Sequence, residues 1–69
     1  MNTTTHTEAV QRLQQAEQAA REAITQYDDL CRNTRGPLAE SQEVRKSAQQ
    51  RDDALTAWRE AREAYYATI

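Results

Sequence analysis

The sequence predicts an all-α fold, an antiparallel hairpin of two long helices that pairs with a second copy as a homodimeric four-helix bundle. Three observations predict it. Apolar and small residues recur at steps of three and four along both halves of the chain; the only Gly and the only Pro stand together between those halves; and 69 residues with few large apolar side chains make too small a core for two helices alone. Twelve larger apolar side chains besides Met1 are present, and neither a disulfide nor a zinc set is available from one Cys and one His. Chains this small need such aids or assembly, and assembly is what remains.

Residues 1–5 read as a disordered lead-in, with one hairpin domain over 6–69. Thr5 and Glu8 have the spacing of a capping box, which starts the first helix near His6. From there Ala9, Leu13, Ala16, Ala20, Ala23, Tyr27 and Leu30 alternate at steps of four and three, the spacing of a heptad seam. Val10, Ile24 and Cys31 stand on a flanking line at seven-residue spacing, interrupted by Glu17, so the stripe is wider than a pairwise seam needs. On the opposite side Glu8 with Arg12, Glu17 with Arg21 and Asp28 with Arg32 are acid-before-base pairs at i,i+4, the mark of a solvated face.

The turn is expected near residues 34–37, in Asn33-Thr34-Arg35-Gly36-Pro37. Gly reaches the positive φ that ends a helix, and Pro suits the first turn of the next. Helix 1 should end near Asn33 and helix 2 begin near Pro37. A connection this short makes the helices antiparallel.

Helix 2 opens weakly, with Leu38, Val44 and Ala48 as its inward candidates, and gathers apolar mass at Leu55, Trp58, Ala61, Tyr65 and Ile69. In the best register Arg51 and Arg62 occupy seam positions, where Glu17, Asp52 or a partner's acids would have to meet them. Folding at residues 35–36 sets Tyr27 near Val44, Ala20 near Arg51, Ala16 near Leu55, Leu13 near Trp58 and His6 near Tyr65.

Catalytic chemistry finds no footing. Cys31 has no His or second Cys near it in sequence, and its position suits a small hydrophobe; His6 lies at a helix start, where a solvated role is expected. Asp28-Asp29 and Asp52-Asp53 are adjacent helical residues that point about 100° apart and do not converge on one ion. No phosphate loop, catalytic Ser/His/Asp set or zinc spacing occurs. The expectation is no enzyme, no cofactor and no metal.

Nine basic and eleven acidic residues are interleaved, which gives no basic face for a phosphate backbone. Arg32, Arg35, Arg45 and Lys46 gather around the turn and are the only candidate nucleic-acid contacts, though Arg32 and Arg35 also suit the negative end of a helix dipole. No apolar run approaches the ~20 residues that span a bilayer, and the start lacks the regions of a signal peptide. A cytoplasmic protein of a bacterial or phage-infected cell is expected.

What remains is interaction. Val10, Leu13, Ala16, Ala20, Ile24, Tyr27, Cys31 and Leu55 are the expected packing and dimer residues, and Trp58, Arg62, Tyr65 and Tyr66 the expected contacts to a protein partner. In outline the chain resembles the short helical hairpins that bacteriophages and plasmids encode to redirect host proteins. Locally, Arg51-Asp52-Asp53-Ala54-Leu55-Thr56-Ala57-Trp58 is similar to a stretch of a phage-encoded quorum-sensing anti-activator. That likeness covers eight residues with gaps, and the Ala-rich first helix departs from the aromatic-rich helix of that protein, so no function is carried over. A small inhibitor or adaptor is the first reading. Hairpin subunits or co-chaperones of type III secretion assemblies share size and topology, and a Rop-like RNA-binding hairpin dimer is the third alternative, one that calls for a basic helix face.

Overall fold

The computed structural model describes residues 2–69, with side chains from residue 5 onward. Two helices, α1 (Asn2–Asn33) and α2 (Gln42–Tyr66), pack against each other as a hairpin, joined by a short 3-10 turn, Leu38–Glu40. At about 1.5 Å per residue, 32 and 25 residues give rods of roughly 48 and 37 Å. The hairpin is correspondingly thin, 55 × 14 × 12 Å, and its radius of gyration of 15.6 Å exceeds the about 11 Å of a compact domain of this length.

The first boundary differs from the sequence expectation. α1 starts at Asn2, so Thr5 lies inside the helix and does not cap it near His6; Met1 lies outside the described residues. Nothing between Asn2 and Thr5 breaks a helix, and each Thr costs only a few tenths of a kcal/mol relative to Ala, so the helix propagates backwards through them. At its other end α1 stops at Asn33, as the turn chemistry predicts. Thr34 closes that end, its backbone N–H and its hydroxyl both donating to the Leu30 carbonyl at 2.9 and 2.6 Å. Gly36 then takes φ +91, the left-handed conformation for which it was singled out.

The second boundary also moves. Pro37 opens the 3-10 turn and not the helix, and α2 begins five residues later at Gln42. Ser41 is the true cap: in extended conformation, it accepts a bond from the Val44 backbone N–H at 3.2 Å. Glu43 in that first turn faces the positive end of the helix dipole.

The seam of α1 is the one the spacing predicts. His6, Ala9, Leu13, Ala16, Ala20, Ala23, Tyr27, Leu30 and Thr34 are all buried or half-buried, with Ala20 fully enclosed at 0% exposure. The seam of α2 keeps Val44, Arg51, Trp58, Ala61 and Tyr65 from the expected set and takes Ser47, Ala54 and Thr68 in place of Ala48, Leu55, Arg62 and Ile69. Val44, Ser47, Arg51, Ala54, Trp58, Ala61, Tyr65 and Thr68 recur at steps of three and four, and all are buried or half-buried. Leu55 and Ala48 are flanking and half-buried, while Arg62 and Ile69 on the same flank are exposed, as is Leu38 in the 3-10 turn. The reason is steric. A helix lined by Ala9, Ala16, Ala20 and Ala23 admits its neighbour closely, and close approach favours Ser47, Ala54 and Ala61 at the contact line over Leu55 and Arg62.

The register follows from one bond. His6 Nδ1 lies 2.9 Å from Thr68 Oγ1, and the Thr68 hydroxyl spends its proton on the Tyr65 carbonyl at 2.7 Å, so the imidazole N–H is the donor. The His6 ring also packs on Tyr65 at 5.3 Å between centroids, as the sequence register predicts. Counting layers from the His6–Thr68 bond sets Ala9 level with Tyr65, Leu13 with Ala61, Ala16 with Trp58, Ala20 with Ala54, Tyr27 with Ser47 and Leu30 with Val44. This is three residues away from the expected register. It opposes large to small in most layers, the arrangement that fills space between close helices.

Candidate functional site

The outer face of the second half of α2 gathers most of the expected partner contacts. Trp58 sits in the seam and is half-buried, yet its outer side joins Leu55, Arg59 and Arg62 around a shallow surface dent. Tyr65 is likewise half-buried in the seam, between the His6 ring and the ring of Tyr66, the latter 5.7 Å away and tilted by 57°. Tyr66 itself is 61% exposed and Ile69 80% exposed. The four residues named from the sequence therefore differ in kind: Arg62 and Tyr66 face outward, while Trp58 and Tyr65 mainly hold the hairpin together. Leu55, expected as a packing and dimer residue, belongs to the same face with Arg59 and Ile69, which were not among the expected contacts; Arg59 lies three residues before Arg62 and four after Leu55, and Ile69 three after Tyr66, and that spacing is the available signal.

The residues expected to pack divide similarly. Leu13, Ala16, Ala20 and Tyr27 are seam residues. Val10, Cys31 and Leu55 are half-buried on the flank, and Ile24 at 36% exposure is the outermost of that group. Because the helices are antiparallel, the flanking line of α1 (Val10, Glu17, Ile24, Cys31) and that of α2 (Ala48, Leu55, Arg62, Ile69) fall on the same edge of the hairpin. The opposite edge carries Arg12, Ala57 and Ala64, which with Ala16, Glu60 and Ala61 line a second shallow dent.

Arg51 resolves differently from Arg62. Its side chain is 30% exposed, the guanidinium carbon stands 4.3 Å from the centre of the Tyr27 ring, and Nη2 and Nε donate to Asp52 at 3.2 and 3.3 Å. The bond to Asp52 raises its pKa above the ordinary arginine value. A cation on an aromatic face with one carboxylate at hand is a seam position satisfied within the chain. Glu17, the other candidate acid, is held instead by Arg21 at 2.7 Å, one of the i,i+4 pairs read from the sequence.

Arg32, Arg35, Arg45 and Lys46 are all exposed, Arg32 in the last turn of α1, Arg35 in the connection and the other two at the start of α2. Asp28, Asp29, Glu40 and Glu43 are exposed at the same end of the hairpin, so its surface charge is mixed. Among the described residues no three His, Cys, Asp or Glu side chains come together as a metal-holding group, and no helix is long and apolar enough to cross a membrane.

No family model matches the chain, and no curated protein or solved structure matches it significantly. The functional reading rests on the geometry of this one hairpin.

Proposed function

We propose that this chain is a small non-enzymatic protein-binding module that acts by presenting the outer face of α2, with Trp58, Arg62, Tyr65 and Tyr66, to a second chain. The observation that carries the proposal is the juxtaposition on that face of exposed Tyr66 and Ile69 with the dent formed by Leu55, Trp58, Arg59 and Arg62. Aromatic and Arg side chains on an otherwise small-residue scaffold are the composition of interface anchors. A helix offering anchors three and four residues apart is the ligand half of helix-in-groove recognition. In its finer form the proposal is an inhibitor or adaptor of the phage or plasmid type, directed at a larger bacterial protein in the cytoplasm and built as a hairpin dimer.

The test is capture from a bacterial lysate with the tagged 69-residue chain, compared with Trp58→Ala and Tyr66→Ala, and with Arg35→Ala as a control at the far end. Circular dichroism reports that each variant keeps its helices. The proposal expects a specific protein that the wild type and Arg35→Ala retain and the two aromatic variants lose. Retention of the same proteins by all four chains overturns it, as does a low-salt gel shift of RNA or DNA that disappears with Arg35→Ala.

A further inference from the structure

We infer that the edge on which the two flanking lines meet is a self-association surface, and that its occupant is a second copy of this hairpin, held in register by Glu17 of each chain against Arg62 of the other. The inference deepens the proposed function, and rests on its reading of the α2 outer face as one that binds a chain.

Area calls for an occupant. The chain exposes 5520 Å², whereas a compact monomer of 7.9 kDa exposes about 4,400 Å². The excess, on the order of 1,100 Å², is somewhat more than the ~800 Å² that each partner covers in a standard interface. Among the described residues nothing larger than Val44 is buried: the interior consists of Ala9, Ala20, Val44, Ser47 and Ala61. Every large apolar side chain described keeps part of its surface in water.

The pattern on the edge indicates the kind of occupant. From the level of the His6–Thr68 bond toward the turn the edge reads Ile69, Val10, Arg62, Glu17, Leu55 and Ile24, alternating between helices. Each flanking line is thus apolar, charged, apolar: Val10, Glu17, Ile24 on α1 with an acid in the middle, and Leu55, Arg62, Ile69 on α2 with a base in the middle. A two-fold axis along the hairpin lays α1 of one copy on α2 of the other, makes every neighbouring pair antiparallel and preserves the levels. Glu17, which Arg21 meets at 2.7 Å in the single hairpin, and the second copy's Arg62 then lie five residues apart in level, about 7.5 Å along the axis, a gap that two long side chains bridge once Glu17 turns from the exposed Arg21. Val10 and the second copy's Ile69, and Ile24 and its Leu55, are offset by the same five residues, while Val10 lies two residues in level from its Arg62 and Glu17 two from its Leu55. A foreign helix needs no such matching of acid on one line to base on the other. A second copy uses it twice, because each edge supplies both halves, although Glu17 and Arg62 of one hairpin share the same offset, so the pairing between chains is read from a mixture of variants.

Single charge reversals and their mixture test this by sedimentation velocity on the full chain. The wild type sediments as a dimer, and Glu17→Arg or Arg62→Glu alone weakens dimerisation at least tenfold, since each places like charges together twice. Mixed in equal amounts the two variants recover the dimer, because the heterodimer sets the two introduced side chains, now of opposite charge, against each other at one contact and leaves the native pair at the other. No contact within a single chain predicts that recovery. Should a single variant lose its helices on its own, circular dichroism replaces sedimentation as the readout, and the mixture regains helix. A wild-type monomer, single variants that dimerise like the wild type, or a mixture that recovers nothing each overturn the inference. A wild-type monomer whose captured protein still depends on Trp58 and Tyr66 would refute self-association, and with it the dimeric form, and leave the protein-binding module standing. A dimer that obeys the charge swap without any Trp58-dependent capture would do the reverse.

Discussion

The two edges of this hairpin flank the same seam and are solvated on the same scaffold, yet they are made of different material. One carries Val10, Ile24, Cys31, Leu55 and Ile69 around a Glu and an Arg; the other carries Arg12, Ala57 and Ala64, with Ala19 and Gln26 further along α1. The seam does not require this difference, because Ala-lined close approach seals it from either side. The helices are held together along the seam, where Leu13, Tyr27, Leu30, Val44, Trp58 and Tyr65 pack among the alanines, and the flanking side chains cover only its rim. The difference teaches that the apolar residues of one edge are not matched on the other, and this contrast is what the proposed self-association is tested against.

Breaking the comparison takes one pair of substitutions per edge. Ile24→Lys with Leu55→Lys is expected to reduce association by at least tenfold, because two partly desolvated apolar contacts per copy become repelling charges. Ala19→Lys with Ala57→Lys, on the other edge, is expected to leave it unchanged. Sedimentation at a series of concentrations measures both. Equal loss from the two edges would mean that the contrast between them has no energetic content.

A smaller effect sharpens the contrast between seam and edge. Ala20 is fully enclosed level with Ala54, whereas Ala19, one residue away, is exposed. Ala20→Leu forces the helices apart and is expected to cost about 1–3 kcal/mol, the usual penalty for overpacking a close contact. Ala19→Leu is expected to stay within about 0.5 kcal/mol, as surface changes do. Urea denaturation at fixed protein concentration separates the two, and a tolerated Ala20→Leu would show that the seam is looser than its 0% exposure implies.

How legible all this was depends on which physical signal each feature used. The α1 seam, its end at Asn33 and the left-handed Gly36 were legible because period and turn chemistry are local. The α2 seam was legible at Val44, Arg51, Trp58, Ala61 and Tyr65 and not between them, since two lines of spacing diverge there: one through Ala48, Leu55, Arg62 and Ile69, the other through Ser47, Ala54 and Thr68. Choosing by side-chain size favours the first line. The fold takes the second, because closeness to an Ala-lined helix selects small residues, and that selection is a property of the pair which neither helix reveals alone. The start of α2 was misplaced for a related reason. Pro37 and Ser41 are both good openings, and the short 3-10 turn between them decided for Ser41. Of the candidate site, Tyr66 lies outside the seam as its spacing indicates, Arg62 is exposed where a seam position was expected, and Trp58 and Tyr65 hold the seam positions that their spacing predicts.

The smallest expected effect concerns Arg51, the charge that stays in the seam of α2. Its cation lies on Tyr27 and is bonded to Asp52, so the position is satisfied without help from a second chain. Replacing a paired charge by an apolar residue of similar length is often neutral or stabilising, because the desolvation it avoids offsets the contacts it loses. Arg51→Met is therefore expected to hold the thermal midpoint or raise it slightly, whereas Arg51→Ala, which leaves the Tyr27 ring uncovered, lowers it. The cost of the Met variant should appear in register. With no polar group committed to the layer beside Tyr27, a three-residue slip toward the Leu55–Arg62 line becomes accessible, and the His6 ring loses its fixed position over Tyr65 in a share of molecules. A His6 imidazole resonance that splits in Arg51→Met while the midpoint holds would establish that Arg51 selects between the two lines. A single unshifted resonance would assign that choice to the alanines alone.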